Sequence, residues 1–81
     1  MGTKQNPPPF DCYNNALPHE EMFTVLARDI AAPAVVRFWC LERIKRNLNK
    51  WGDPQITEAM ECAAKMEAQR AQVRQELGKP V

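Results

Sequence analysis

The chain has 81 residues, a formal net charge of +1, no serine and one histidine. A chain of this length forms one small domain that buries a low fraction of its surface, so we expect self-association or a partner to add stability. The lack of serine excludes a serine triad, and the near-neutral charge favours neither nucleic acid nor a membrane surface.

The first 17 residues are rich in proline and asparagine, with three consecutive prolines at positions 7–9. Such a run favours the extended polyproline II conformation. We therefore predict an extended arm over residues 1–17 that precedes a single helical domain over residues 18–81. Phe10 and Tyr13 could anchor this arm on the domain, or the arm could be a mobile terminus.

A short helix is predicted after Pro18, where acidic residues follow at positions 20 and 21 and suit the positive end of a helix dipole. Met22, Phe23 and Leu26 would form its apolar face. The run over residues 23–26 could also be a strand, but a lone strand would have nothing to pair with.

A second helix is predicted from Ala32 or Pro33 to about Lys50, because proline suits the first helical turn. Its apolar residues are expected to pack on one side. They are Val35, Val36, Trp39, Cys40, Leu41, Ile44, Leu48 and Trp51.

The third helix is the clearest element of the sequence. Asp53 is a suitable N-cap residue, Pro54 fits the first helical position, and Gly78 followed by Pro80 is a helix stop. One stripe of mostly apolar residues runs along it at spacings of three and four: Ile56, Ala59, Ala63, Met66, Arg70, Val73 and Leu77.

Together these elements predict an all-α fold in which the short helix packs on an antiparallel hairpin of the two longer helices. The third helix would outrun the second, and the uncovered end of its stripe would favour a homodimer. Residues 33–50 contain five basic residues and one acidic residue, whereas residues 53–77 contain five acidic and three basic residues. The two helices should therefore attract each other.

No pattern of residues indicates catalysis, a metal or a cofactor. Cys12, Cys40 and Cys62 are widely separated, unlike the close ligand pairs of structural zinc sites or the cysteines of a disulfide framework. We expect free cysteines in a reducing cytoplasm, and neither a signal peptide nor a membrane span is apparent. Glu58 and Glu61 lie three apart and are interpreted as a solvated face rather than an acid–base pair.

A basic cluster near the end of the second helix leaves two interpretations open. Arg43, Lys45, Arg46 and Lys50 lie beside Trp51, and such a group could bind phosphates and stack on bases. Pairing with the acidic third helix is the interpretation that we favour, since the chain has no helix-turn-helix or zinc-finger motif.

The segment from residue 26 to residue 39 has the most distinctive sequence in the chain. Arg28 and Arg37 bracket a predicted turn, and Asp29 between them could cap the second helix and bind one of the arginines. This corner is either a structural element or a binding surface.

Here the sequence resembles a set of small phage and prophage proteins. The resemblance is carried by Ala27-Arg28-Asp29, Ala32-Pro33, Val36-Arg37 and Trp39, followed by Ala63, Met66, Glu67 and Arg70. Those proteins often have Asp-Glu-Pro before the first apolar run, where this chain has His19-Glu20-Glu21. The resemblance implies a small accessory protein that binds a host protein and counters host defence, including CRISPR systems.

We therefore expect a non-enzymatic phage protein in a bacterial cytoplasm that binds a host or phage protein. Alternatives are an oligomeric sponge for a nucleotide signal and a nucleic-acid-binding module. The candidate binding residues are Arg28, Asp29, Arg37, Trp39, Arg43, Arg46 and Trp51.

Overall fold

The computed structural model describes residues 2–6 and 12–78. These residues form three helices and no strands: α1 (Cys12–Asn15), α2 (Ala32–Lys45) and α3 (Pro54–Leu77). The prediction of an all-helical chain with two long helices that pack on each other is confirmed. The three prolines and Phe10 of the predicted arm lie outside the described residues.

The predicted short helix after Pro18 is wrong, and so is the alternative strand. Residues 18–31 form turns and irregular backbone instead, and the side chains of Met22 and Phe23 are exposed. The backbone N–H of Leu17 donates to Glu20 Oε1 at 3.0 Å, which closes a local turn. A short helix gains most of its stability from a packed apolar face, and this one has no buried face. The only short helix that the structure describes is α1, a single turn within the predicted arm, where Tyr13 is 76% exposed.

α2 begins at Ala32 as predicted, but it ends five residues earlier than predicted. Asn47 adopts a left-handed conformation with φ 60°. The N–H of Asn47 donates to the carbonyl of Ile44, and the N–H of Leu48 donates to that of Arg43. This pair of bonds is the Schellman motif, and asparagine tolerates the left-handed residue that the motif requires.

α3 has the predicted bounds. Gly78 closes it with φ 67°, which suits a residue without a side chain. Asp53 occupies the N-cap position in an extended conformation, but its side chain makes no hydrogen bond to the helix. The carboxylate instead accepts the N–H of Lys50 at 2.9 Å in the preceding loop.

The core lies between α2 and α3 and consists of small side chains. Six hydrophobic residues of the described ranges are buried: Ala32, Val36, Cys40, Ile56, Ala59 and Ala63. Half-buried Val25, Trp39, Ile44 and Met66 pack around them. The first half of the predicted α3 stripe is therefore confirmed. Four residues of the predicted α2 stripe are instead exposed: Val35, Leu41, Leu48 and Trp51.

Candidate binding surface

The predicted corner does not form a cluster of Arg28, Asp29 and Arg37. Asp29 Oδ1 accepts the N–H of Ala31 at 2.9 Å, and Ala31 rather than Asp29 occupies the N-cap position of α2. Asp29 thus closes a turn immediately before the helix. The guanidinium of Arg37 points elsewhere and binds Glu67, so the prediction of a hydrogen-bonded cluster is wrong.

Arg37 and Glu67 form an ion pair that joins α2 to α3. Both side chains are partly exposed, so the pair adds little to stability by itself. The hydrogen bond and charge of Arg37 hold the pKa of Glu67 below its ordinary value, and Glu67 raises the pKa of Arg37. The expected attraction between the basic and acidic helices is realised at this position. The pairing predicted for the basic cluster at residues 43–50 is wrong for its two arginines, because Arg43 bonds to Asn49 and Arg46 to Glu42 rather than to α3.

The Arg37–Glu67 pair predicts a pH dependence of stability. The pKa of Glu67 is lower in the folded chain than in the unfolded chain. The contribution of ionised Glu67 to the free energy of unfolding is therefore fully present above the unfolded pKa. It is lost as the pH falls through the folded value. We expect Glu67→Gln to melt slightly below the wild type at pH 7 and to approach it as the pH falls through the folded pKa of Glu67, as measured by circular dichroism.

A direct control is the carboxyl titration of Glu67 followed by nuclear magnetic resonance. Arg37→Gln should raise the midpoint of that titration towards the ordinary glutamate value. An unchanged midpoint would show that Arg37 does not set the charge state of Glu67.

A polar network fixes the loop between α2 and α3. Arg43 Nε donates to Asn49 Oδ1 at 2.6 Å, and Asn49 Nδ2 donates to Asp53 Oδ2 at 2.9 Å. The bonds from Asn49 and from the backbone of Lys50 lower the pKa of Asp53. The guanidinium of Arg43 also lies 5.6 Å from the centre of the Trp39 ring. Arg43 and Trp39 are therefore parts of the scaffold.

The loop that this network supports carries a group of exposed side chains, which we call the basic–aromatic loop. Trp51 and Leu48 are more than half exposed, and the side chain of Arg46 is 71% exposed although it bonds to Glu42. Lys50 is also exposed. Of the two tryptophans, Trp51 is thus the one that faces solvent, whereas Trp39 is half-buried against the core.

A cavity of about 350 Å³ lies beside α3. Its walls come from residues 2–6, residues 25–27 and the middle of α3. Glu58 and Glu61 line it together with Lys4 and Lys65. Glu61 is exposed, as predicted for a solvated face, whereas Glu58 is half-buried. No sequence signal could have revealed this cavity, because three separate segments form it.

The three cysteines are free. Cys40 is buried in the core as predicted, and burial raises the pKa of its thiol. Cys62 is half-buried at the cavity and Cys12 is exposed. Within residues 2–6 and 12–78, no group of three or more histidine, cysteine, aspartate or glutamate side chains could hold a metal ion.

Comparisons with family models, with curated proteins and with solved structures find no match to this chain. None of the helices in the described part combines the length and the apolar character needed to cross a membrane.

Proposed function

We propose that this protein has no catalytic activity of its own and binds a partner protein through the basic–aromatic loop. The observation that carries the proposal is the exposure of Trp51 and Leu48 in a loop that also exposes the cationic side chains at positions 46 and 50. Tryptophan and arginine dominate binding energy at many interfaces, and cations around an apolar centre steer an acidic partner towards it.

The rigid backbone of the loop supports the same proposal. The Schellman motif at Asn47 fixes its first part, and the bonds of Asn49 and Lys50 to Asp53 fix its second part. A binding side chain on a backbone that is already ordered loses less conformational entropy when the complex forms. Trp51 is therefore presented at a low entropic cost.

The proposal includes an antiparallel hairpin of α2 and α3, with the basic–aromatic loop at its closed end. Two observations support this arrangement. Arg37, near the start of α2, binds Glu67, far along α3. Val36 and Cys40 share one cluster with Ile56 and Ala59. An eight-residue connection over residues 46–53 is short enough for neighbouring antiparallel helices.

In its most specific form, the proposal is a phage-encoded accessory protein in the bacterial cytoplasm. Its partner would be a host or phage protein, and it would act as a host-defence antagonist such as an anti-CRISPR protein. The motifs around Ala27-Arg28-Asp29 and Trp39, which resemble those of small phage proteins, support this setting.

A nucleic acid is the second candidate partner, because Lys45, Arg46 and Lys50 are exposed near Trp51. Cations bind phosphates and an exposed ring can stack on a base. A nucleotide sponge has less support. Arg37 is paired with Glu67, and the cavity beside α3 combines Lys4 and Lys65 with two carboxylates that would repel a phosphate.

The proposal predicts that Trp51→Ala abolishes partner capture without unfolding the chain, since Trp51 lies outside the buried core. The tagged protein is incubated with bacterial lysate, with and without nuclease, and captured proteins are quantified by mass spectrometry. Phe23→Ala is the matched control, because Phe23 is the most exposed large hydrophobic side chain among residues 2–6 and 12–78 and lies in another segment. Arg46→Glu together with Lys50→Glu should have the same effect as Trp51→Ala.

Equal capture by Trp51→Ala and the wild type would contradict the proposal, and loss of capture after nuclease would favour the nucleic acid. The specific form is tested in a host with an active CRISPR system. The wild type should restore phage plaques in that host, whereas Trp51→Ala should not.

A further inference from the structure

The side of α2 opposite the core is also apolar. Val35, Phe38 and Leu41 recur every three residues on the side of the helix away from Val36 and Cys40, and we call these three the outer face of α2. Phe38 is 63% exposed, Leu41 54% and Val35 42%. A helix that is apolar on both sides is normally buried on both sides.

The core of the domain is small, and several larger apolar side chains lie outside it. Three of the six buried hydrophobic residues are alanines, and only Ile56 and Cys40 are larger side chains that are fully buried. Larger apolar side chains, Phe38 and Leu41 among them, remain in solvent. A small domain with a core of this kind commonly gains stability by association.

The charges at the two ends of the outer face indicate which molecule covers it. Exposed Asp29 lies just before the N-terminal end of α2, and exposed Lys45 is its last residue. Among the fully exposed residues, the charge is therefore acidic just before the helix and basic at its end. Half-buried Arg28 lies beside Asp29 in the sequence, and half-buried Glu42 is paired with Arg46. In an antiparallel crossing centred on Phe38, Lys45 of one copy lies opposite Ala31 of the second copy, two residues from Asp29, at both ends of the interface, whereas a parallel copy would bring like charges together.

The side chains fit the same arrangement. In an antiparallel crossing centred on Phe38, Phe38 meets its own copy and Val35 meets Leu41 of the second copy. Ala31 and Ala34 are exposed as well, and their small side chains let the two helices approach closely. The face therefore complements itself in both shape and charge.

We propose that the outer face of α2 is the interface of a symmetric antiparallel homodimer. This proposal is independent of the basic–aromatic loop, and the dimer would display two copies of that loop. Positions 35–45 span about 15 Å of helix, so the buried area lies at the low end of specific interfaces. The dissociation constant should accordingly be in the micromolar range.

Sedimentation equilibrium of the full chain tests the proposal. The wild type should change from monomer to dimer over micromolar concentrations. Phe38→Ser should raise the dissociation constant at least about tenfold, because it removes both phenylalanine side chains that meet at the centre of the symmetric interface. Phe23→Ser is the matched control and should leave the dissociation constant unchanged. Circular dichroism establishes that each variant stays helical.

The charge arrangement is tested by rescue. Lys45→Glu places a carboxylate near Asp29 of the second copy and should weaken the dimer. Adding Asp29→Asn removes that repulsion, yet retains a side-chain oxygen that can accept the N–H of Ala31, and should restore part of the affinity. A monomer mass throughout, an equal effect of Phe23→Ser, or no rescue of Lys45→Glu would each overturn the proposal.

Discussion

Replacing Ile56 with alanine is expected to lower the free energy of unfolding by about 2–5 kcal/mol. Ile56 is 1% exposed and is one of the two largest fully buried side chains, so its loss leaves a cavity between α2 and α3. A domain of this size has little stability to spare. Thermal melting followed by circular dichroism should show a midpoint lower by at least about 10 °C.

The control for this variant is Ile30→Ala, which makes the same chemical change at an exposed position. It should change stability by less than about 0.5 kcal/mol. Equal melting of Ile56→Ala and Ile30→Ala would show that the contact between α2 and α3 does not hold the chain together.

The second large effect is expected from Ala63→Leu. Ala63 has no exposed surface, and its methyl side chain packs in the core cluster between α3 and α2. A leucine there would force the helices apart or into strained rotamers, at a cost of about 1–3 kcal/mol. Urea unfolding should show a lower midpoint with a similar slope.

The neighbouring residue provides a matched control, because Ala64 is exposed on the same helix. Ala64→Leu should leave the unfolding midpoint nearly unchanged, since leucine is also a good helix former. A stable Ala63→Leu variant would mean that α2 and α3 are not held at the separation that the structure describes.

Local signals in the sequence were sufficient for the ends of α3 and for the start of α2. Pro54, Gly78 and Pro33 act through their own backbone, so their effect does not depend on distant residues. The end of α2 was missed because no glycine or proline marks it. Asn47 ends α2 by adopting a left-handed conformation. An asparagine at this position was the one local signal in the sequence for the end of the helix.

The segment after Pro18 was mispredicted for a different reason. Met22, Phe23 and Leu26 have helical spacing, but spacing alone does not bury a face, and all three side chains are exposed. The partner side chains that decide such a case lie far away in the sequence and cannot be inferred from local pattern.

The sequence indicates which residues are candidates for binding, but it does not show which of them are exposed and which support the loop. Trp51 and Arg46 are exposed, whereas Trp39 and Arg43 support the loop. The sequence could not show this division, because it depends on the hydrogen bond between Arg43 and Asn49 and on the early end of α2. Likewise, only the fold could pair Arg37 with Glu67 rather than with Asp29.

The placement of the core between residues 32 and 63 has a kinetic consequence. All six buried hydrophobic residues come from two helices that are consecutive in the chain, so closing one short loop brings them together. Proteins dominated by such local contacts fold in microseconds to milliseconds. During synthesis, residues that precede α2 emerge before either long helix. Val25 can therefore pack only after residues 32–63 have emerged and formed the core cluster that it contacts.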